Sequence, residues 1–224
     1  MSRHLAIGDI HGCITALRTL VDFVGLHADD TIVPLGDYVD RGPDSAAVID
    51  FVIDLGTKHN VVPLRGNHEI MMLEAREKES WLAPWLGYGG RETLQSYASS
   101  DAEAGTFSDV PDAHFDFIEN KLQDYYECET HFFVHANADP KIPLDKQKEP
   151  ALFWQKYKDP AEHCSGKIMV CGHTAQITGV PASNANSICI DTWAYGEGWL
   201  TCLDVESGTI WQANESGETR VMAA

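Results

Sequence analysis

The sequence predicts an α/β fold, in which a βαβαβ core is followed by a second group of strands. In the first third of the chain, short apolar runs alternate with segments whose apolar residues recur at helical spacing. This alternation predicts parallel neighbouring strands whose loops gather at one edge of the sheet. In the last third, apolar runs return without long helices between them. They predict a second sheet packed on the first.

The expected elements can be placed along the chain. Strands are predicted at 5–8, 32–35 and 61–64, and helices over ITALRTLVDFVGL and SAAVIDFVIDLG between them, ending at Gly25 and Gly56. Residues 72–126 are predicted to form a helical insertion beside the loop edge, with its tryptophans in the core. Later strands are predicted in THFFVHAN, KIMVCGHT and SICID, and a hairpin in GWLTCLDVESGTIWQA that turns at 207–208.

Composition limits the classes of function. A chain of 224 residues, 44% hydrophobic and 22% charged, suits one folded domain spanning 1–224. The net charge of −18 repels nucleic-acid phosphates and anionic membrane surfaces. Six scattered cysteines without a C-x-x-C pair are predicted to be reduced. Because the sequence shows no signal-peptide pattern and no membrane-length apolar stretch, a cytoplasmic protein is expected.

Polar residues cluster where the predicted strands end. GDIHG follows the first strand, GDYVDRG the second and RGNHE the third, and a histidine follows each of two later strands. In α/β proteins these strand ends are where ligands bind, so the clusters are expected to lie together. They supply two carboxylates, three imidazoles and one amide oxygen: Asp9, Asp37, His11, His135, His173 and Asn67.

This set of donors indicates a metal site. Oxygen and nitrogen ligands without a thiolate suit Mn²⁺, Fe or Zn²⁺ rather than Ca²⁺. Six side chains exceed what one ion needs if it must also hold a substrate, so we expect two divalent ions that share one carboxylate. Mn²⁺ is the expected metal, with Fe and Zn²⁺ as alternatives.

The five motifs GDIHG, GDYVDRG, RGNHE, FVHAN and CGHT resemble the signature of the phosphoprotein phosphatase family, within the calcineurin-like metallophosphoesterases. The resemblance is to a serine/threonine protein phosphatase of bacterial type. It implies a β-sandwich of two mixed sheets flanked by helices, with the βαβαβ core binding the metals. It also implies that Asp9, His11 and Asp37 bind one ion, and that the ligands of the other ion are Asp37, Asn67, His135 and His173.

The resemblance assigns roles to four further residues. His68 is implied to be the general acid, with Asp40 holding its imidazole. Arg41 and Arg65 are implied to bind the phosphoryl oxygens. Glu69 is expected to support the site structurally rather than to act as a catalyst.

The expected activity is hydrolysis of phosphoserine or phosphothreonine in a protein substrate, with phosphotyrosine as a further substrate. One alternative on the same scaffold is a dinucleoside tetraphosphate hydrolase, which a larger set of basic residues near the site would favour. A nuclease is disfavoured by the net charge of −18. A catalytically silent binding protein is disfavoured because every expected ligand is present. Oligomeric state is left open.

The sequence departs from the family pattern at two places. Ala136 and Asn137 follow His135, where a glycine is usual. No arginine lies between Arg91 and Arg220, where a further phosphate-binding arginine is typical, so Lys156 or Lys158 is the expected substitute.

A later segment, DTWAYGEGW, follows the last predicted histidine motif and the strand SICI. It is expected to lie over the mouth of the site. Trp193 and Tyr195 are therefore candidates for substrate contact, with ordinary packing as the alternative.

Overall fold

The computed structural model describes residues 2–99 and 104–223, which form two β-sheets flanked by helices. The described strands are, in chain order, β1 (His4–Ile7), β2 (Thr31–Pro34), β3 (Asn60–Val61), β4 (Tyr125–Glu127), β5 (His131–Val134), β6 (Ile168–Cys171), β7 (Ala182–Asn184), β8 (Ser187–Cys189), β9 (Leu200–Asp204), β10 (Thr209–Ala213) and β11 (Thr219–Ala223). The described α-helices are α1 (Ile14–Val24), α2 (Ser45–Lys58), α3 (Asn67–Glu77), α4 (Glu79–Trp85), α5 (Arg91–Tyr97) and α6 (Asp112–Asn120). None of the helices in these two ranges is long and apolar enough to cross a membrane.

Both sheets are mixed, as predicted. The first has the order β11-β10-β9-β1-β2-β3, in which β1, β2 and β3 are parallel and β9 runs antiparallel to β1. The second has the order β4-β5-β6-β8-β7, with parallel pairing among β5, β6 and β8. The hairpin turn predicted at 207–208 joins β9 to β10. The parallel strands of both sheets end at polar motifs.

The two sheets pack face to face through a buried apolar layer. Ala6 and Val33 of the first sheet belong to one packed cluster with Phe133 and Val170 of the second, and all four side chains are fully buried. Burying a large apolar side chain of this kind stabilises a fold by about 1.5–3 kcal/mol. This layer holds the carboxyl ends of strands from both sheets at one edge of the sandwich.

The predicted element ends are partly correct. Helix α1 ends at Gly25, which has the left-handed conformation (φ 63°) that favours glycine. The prediction for Gly56 was wrong, because α2 continues to Lys58; glycine inside a helix costs only about 1 kcal/mol. The strand predicted at 61–64 is regular only over Asn60–Val61, with an isolated bridge at Leu64. The N–H groups of Val62 and Leu64 still donate to the carbonyl oxygens of Ile32 and Pro34, at 2.8 and 2.9 Å, but Pro34 has no N–H with which to return a bond.

The segment predicted as a helical insertion contains most of α3, then α4, α5 and α6. Helix α3 begins earlier than predicted, at Asn67, so the RGNHE motif leads into its first turn. Trp85 is buried as predicted, whereas Trp81 is 43% exposed. Residues 100–103 of this segment, and residues 1 and 224 of the predicted domain, lie outside the described residues. All six cysteines are free, as predicted.

Candidate metal centre

The structure brings the predicted metal ligands to one edge of the sandwich. Asp37 lies at the centre of the cluster. Its Oδ2 is 3.4 Å from His11 Nε2, and its Oδ1 is 3.5 Å from His135 Nε2. Donor atoms of Asp37, His135 and His173 lie within 4.8 Å of one another, and so do those of His11, Asp37 and His68. Asp37 therefore belongs to both groups, which is the arrangement expected of a bridging carboxylate.

Backbone carbonyls fix the tautomers of the three predicted histidine ligands. His11 Nδ1 lies 2.8 Å from the Val39 carbonyl oxygen, and His135 Nδ1 lies 2.9 Å from that of Leu35. His173 Nε2 is 3.3 Å from the carbonyl oxygen of Trp154. Each ring therefore donates one N–H to the backbone and turns its other nitrogen, which carries a lone pair, toward the centre. Histidines that bind metals in proteins are commonly held in this way.

The amide oxygen of Asn67 gives the clearest test of whether a cation fits. Asn67 Oδ1 lies 2.9 Å from His135 Nε2 and 2.8 Å from His173 Nδ1. With the ring hydrogens donated to the backbone, these three atoms present lone pairs to one another at hydrogen-bond distance. A divalent cation among them converts this repulsion into coordination, so the residues present fit the implied metal.

The loops that carry these residues are strained. Positive φ angles occur at five site residues: His11 (46°), Asp37 (52°), Asp40 (73°), Arg41 (73°) and His173 (63°). Such conformations cost on the order of 1–3 kcal/mol each and persist only where the surrounding structure enforces them. Strain of this kind concentrates at functional sites.

Glu69 enforces the conformation of the loop after β2. Its Oε2 accepts the N–H groups of Asp37 and Gly66, both at 2.9 Å. Its Oε1 accepts that of Tyr38 at 2.8 Å and that of Val39 at 3.3 Å. The side chain is fully buried, and burial followed by the negative charge of Asp37 raises its pKa to about 7. The structural role predicted for Glu69 thus has a specific form, which is to hold the loop that carries Asp37.

His68 and Asp40 form a buried pair beside the ligands. His68 Nδ1 is 2.6 Å from Asp40 Oδ2. Other bonds to this carboxylate come from the helical segment: Trp85 Nε1 donates to Oδ2 at 2.9 Å, and the Thr93 hydroxyl donates to Oδ1 at 2.7 Å. Sequence patterns gave no signal for Trp85 or Thr93 as site residues, because they lie 45 and 53 residues from Asp40 in the chain.

Electrostatics separates His68 from the predicted ligand histidines. Burial lowers the pKa of His11 and of His135, and it lowers that of His173 to about 3. Burial acts in the same direction on His68, but the charges of Asp37 and Asp40 outweigh it and raise the pKa. The first three imidazoles are therefore neutral, as ligands must be, while His68 is suited to carry a proton.

Asp37 itself is suited to remain ionised. Burial opposes ionisation, but the surrounding histidines, His135 and His68 foremost, hold the pKa of Asp37 well below its ordinary value. A carboxylate that stays charged is required of a residue that bridges two cations.

Asp9 differs in position from the other predicted ligands. Both of its oxygens accept the backbone N–H of His173, at 3.1 and 2.9 Å, and its donor atoms are in neither group of converging ligands among the described residues. A second buried carboxyl, Asp191, lies near it, and burial raises the pKa of Asp191 to about 6. Asp191 was not among the predicted site residues, although it follows the apolar run SICI just as Asp9 follows the first strand.

The predicted phosphate-binding arginines have different surroundings. Arg41 donates from Nη1 to His11 Nε2 at 2.7 Å, and its guanidinium lies 4.6 Å above the centre of the Tyr195 ring. Arg65 is instead paired with Asp124, at 3.7 Å from Nη1 to Oδ1. Arg41 therefore contacts a predicted ligand directly, whereas Arg65 lies beside Asp124.

Of the two candidate lysines, Lys156 lies at the site. Its Nζ is 3.2 Å from the His173 carbonyl oxygen. Tyr195, in the segment expected over the mouth, packs edge-on against His11 with the ring centres 4.9 Å apart. Trp193 lies next to Tyr195, with 6.3 Å between the ring centres.

Comparison with known proteins gives relatives and structural neighbours. A symmetrical bis(5'-nucleosyl)-tetraphosphatase from Pseudomonas putida is 31% identical over 150 residues, which cover 65% of this chain and 46% of that protein. The structure of an inferred diadenosine tetraphosphatase aligns with a TM-score of 0.67 at 19% identity, over 99% of this chain and 93% of that one. A protein serine/threonine phosphatase from Saccharomyces cerevisiae aligns with a TM-score of 0.61 at 16% identity, over 100% and 80%. At these identities the structural likeness shows a shared fold.

The family assignment rests on the sequence match. The chain spans about half the length of the Pseudomonas putida relative, so the activity of that whole protein does not transfer directly. The match to a family, in contrast, extends from residue 2 to residue 189 and includes every motif of the metal centre. The chain belongs to the calcineurin-like phosphoesterase family.

Proposed function

We propose that this metallophosphoesterase hydrolyses dinucleoside polyphosphates, with diadenosine tetraphosphate as the test substrate. The observation that supports phosphoester chemistry is the pair of donor groups that share Asp37, with the His68–Asp40 pair beside them. The name of the Pseudomonas putida relative supports the substrate class. This reverses the order of the sequence-based expectation, in which a phosphoprotein was the first substrate and the dinucleotide the alternative.

Seven coordination positions of the two ions would come from six side chains. Asp9, His11 and Asp37 would hold one ion, and Asp37, Asn67, His135 and His173 would hold the other. Divalent cations at these ligands, Mn²⁺ first with Fe or Zn²⁺ as alternatives, would lower the pKa of water and neutralise phosphoryl oxygens.

The remaining residues bind substrate and transfer protons. Arg41 binds the phosphoryl oxygens through its guanidinium, which already lies inside the centre. Arg65, whose Nη1 lies 3.7 Å from Asp124 Oδ1, is the second arginine proposed to bind them. Water adds to phosphorus as the bond to the leaving oxygen breaks, and His68 donates a proton to that oxygen. The attacking water loses one proton to solvent, and His68 takes one up from solvent to regain its protonated form. Asp40 keeps the imidazole oriented and stabilises its protonated form.

The substrate is tested with chelator-stripped protein, with and without added Mn²⁺. Diadenosine tetraphosphate, a phosphothreonine peptide and a phosphotyrosine peptide are assayed side by side, and the products are separated by anion exchange. We expect Mn²⁺ to restore turnover of the dinucleotide, with ADP as the product of symmetric cleavage. Asp37→Asn should abolish turnover, and the control Asp54→Asn, at a side chain that is 58% exposed, should not.

The outcomes separate the chemistry from the substrate. Rapid Mn²⁺-dependent turnover of a peptide with an inert dinucleotide would overturn the proposed substrate and leave the metal centre in place. Turnover of all substrates by stripped protein, unchanged by Mn²⁺ and by Asp37→Asn, would overturn the metal centre as well.

Hydrolysis of phosphoserine or phosphothreonine is the second candidate, and one feature favours it. The alkoxide released from such an ester is a poor leaving group and needs a proton more than a nucleoside diphosphate does. His68, whose pKa the charges of Asp37 and Asp40 raise, is suited to supply that proton. His68→Asn should therefore slow turnover of a phosphothreonine peptide more than turnover of the dinucleotide. Equal losses on both substrates would remove this argument.

A further inference from the structure

A cleft adjoins the metal centre on the side of the helical segment. It has a volume of about 560 Å³, within the roughly 300–1,000 Å³ typical of small-molecule sites. The turn Leu86–Gly90 and the first residues of α5 form one wall. Arg41 and Tyr195 form the other. The residues in the wall formed by the turn and α5 have no role in the function proposed above.

The cleft is continuous with the centre through Arg41 and Tyr195. The guanidinium of Arg41 contacts both the Tyr195 ring and His11. The N–H of Arg41 donates to the Gly89 carbonyl oxygen at 3.2 Å, which fixes the turn against this residue. Gly89 is needed there, because its φ is 114° and a Cβ would lie 2.5 Å from the Arg41 nitrogen. A substrate with one phosphoryl group at the centre therefore has Arg41 and then the cleft as its neighbouring surface.

The lining residues have the chemistry that recognises a nucleotide. Tyr88 is 59% exposed and offers an aromatic face that the core does not use. Arg91 adds a second guanidinium to that of Arg41, and Glu92 adds an acceptor for amino or hydroxyl groups. Aromatic faces stack on nucleobases, and guanidinium groups bind phosphates. Basic residues near the site were expected to favour a dinucleoside tetraphosphate as substrate, and these two arginines are such residues.

We propose that this cleft binds the nucleoside end of a nucleotide whose phosphates occupy the metal centre. The inference rests on the proposed function and deepens it, since it names the part of the substrate that the helical segment recognises. The direct probe is the pair ADP and pyrophosphate, because only ADP carries a nucleoside. We expect the Mn²⁺-loaded protein to bind ADP at least about fivefold more tightly than pyrophosphate in calorimetry, in line with one base–aromatic stack.

Gly87→Leu is the variant that blocks the cleft. A Cβ at Gly87 meets no atom within 4 Å, so the new side chain enters open space without disturbing the core. It should remove the preference for ADP over pyrophosphate and raise the KM for diadenosine tetraphosphate about fivefold or more. Tyr88→Ala should act in the same direction. Hydrolysis of p-nitrophenyl phosphate, which has no nucleoside, should be unchanged in both variants.

Gly56→Leu is the matched control. A Cβ at Gly56 likewise meets no atom within 4 Å, and this residue lines a different cavity, with Val52 and Pro63. The substitution should change neither the ADP preference nor the KM. Together the two variants separate blockage of the cleft from a general effect of adding a leucine to the surface.

The two proposals fail in different ways. If the dinucleotide is hydrolysed but Gly87→Leu alters neither ADP binding nor KM, the cleft proposal is wrong and the proposed function stands. If the dinucleotide is inert, the proposed function is wrong; an ADP preference that Gly87→Leu removes would then still support the cleft. Equal affinity of the wild-type protein for ADP and pyrophosphate would overturn the cleft proposal in either case.

Discussion

Replacing Thr93 by valine tests whether the helical segment orients the His68–Asp40 pair. The substitution keeps the shape of the side chain and removes a hydroxyl that donates to Asp40 Oδ1 at 2.7 Å. The Thr93 hydroxyl oxygen also accepts the N–H of Asp40 at 2.7 Å, but that N–H keeps the Ser45 hydroxyl at 3.1 Å. The substitution therefore removes one hydrogen bond to a charged group and the 3.1 Å contact between the Thr93 and Ser45 hydroxyls, without leaving an unpaired N–H. Such bonds contribute about 1.5–3 kcal/mol, so we expect the free energy of unfolding to fall by about 2 kcal/mol.

The same variant should change the pH dependence of turnover. Burial raises the pKa of Asp40, and the bonds from His68, Thr93 and Trp85 oppose that rise. Removing the Thr93 hydroxyl therefore raises the pKa of Asp40 further. Asp40 orients His68 only while Asp40 is ionised. As the pH falls, the variant should therefore begin to lose activity at a higher pH than the wild-type protein does. A weakening of the pair by about 1 kcal/mol would also lower kcat about fivefold.

Thr31→Val is the control for this experiment. Thr31 is also buried, and its hydroxyl accepts one bond, from Asn60 Nδ2 at 2.9 Å, away from the metal centre. Thr31→Val should lower the free energy of unfolding, measured in urea, by about 1 kcal/mol and leave the pH dependence of turnover unchanged. If Thr93→Val has the free energy of unfolding, the kcat and the pH profile of the wild-type protein, the helical segment does not orient the His68–Asp40 pair.

Individual contacts give three further predictions. Glu215 accepts a hydrogen bond from the N–H of Ala16, at 2.9 Å, at the start of α1. Glu215→Ala should therefore lower the free energy of unfolding by about 1 kcal/mol without changing kcat. An unchanged midpoint of urea unfolding would contradict this prediction. At Gly66 a Cβ would lie 2.2 Å from Asp37 Oδ1, so Gly66→Ala should lower the metal affinity measured by calorimetry. An affinity equal to that of the wild-type protein would contradict this prediction. Lys156→Ala should raise KM severalfold because the Nζ of Lys156 lies at the site, whereas Lys158→Ala should leave KM unchanged. An equal effect of the two substitutions on KM would exclude a specific role of Lys156 in substrate binding.

Local patterns were sufficient to predict the fold class and the gathering of polar residues at one edge of the sheets. The alternation of strands and helices predicted the parallel β1, β2 and β3, because a sheet buried on both faces requires continuous apolar runs joined by amphipathic helices. The residues at the strand ends then had to meet at one edge, and His11, Asp37, His135 and His173 do. The assignment of each ligand to an ion stays a prediction.

The sequence by itself determined which residue types stand at the strand ends, since those are properties of neighbouring positions in the chain. Only the tertiary structure decided how they are held. It placed the Trp85 and Thr93 donors against Asp40, four backbone N–H groups against the Glu69 carboxylate, and Arg65 beside Asp124. It also set Tyr88 and Arg91 across a cleft from Tyr195. Each of these contacts joins residues whose spacing carries no periodic signal, because packing between helices and loops, not local conformation, brings them together.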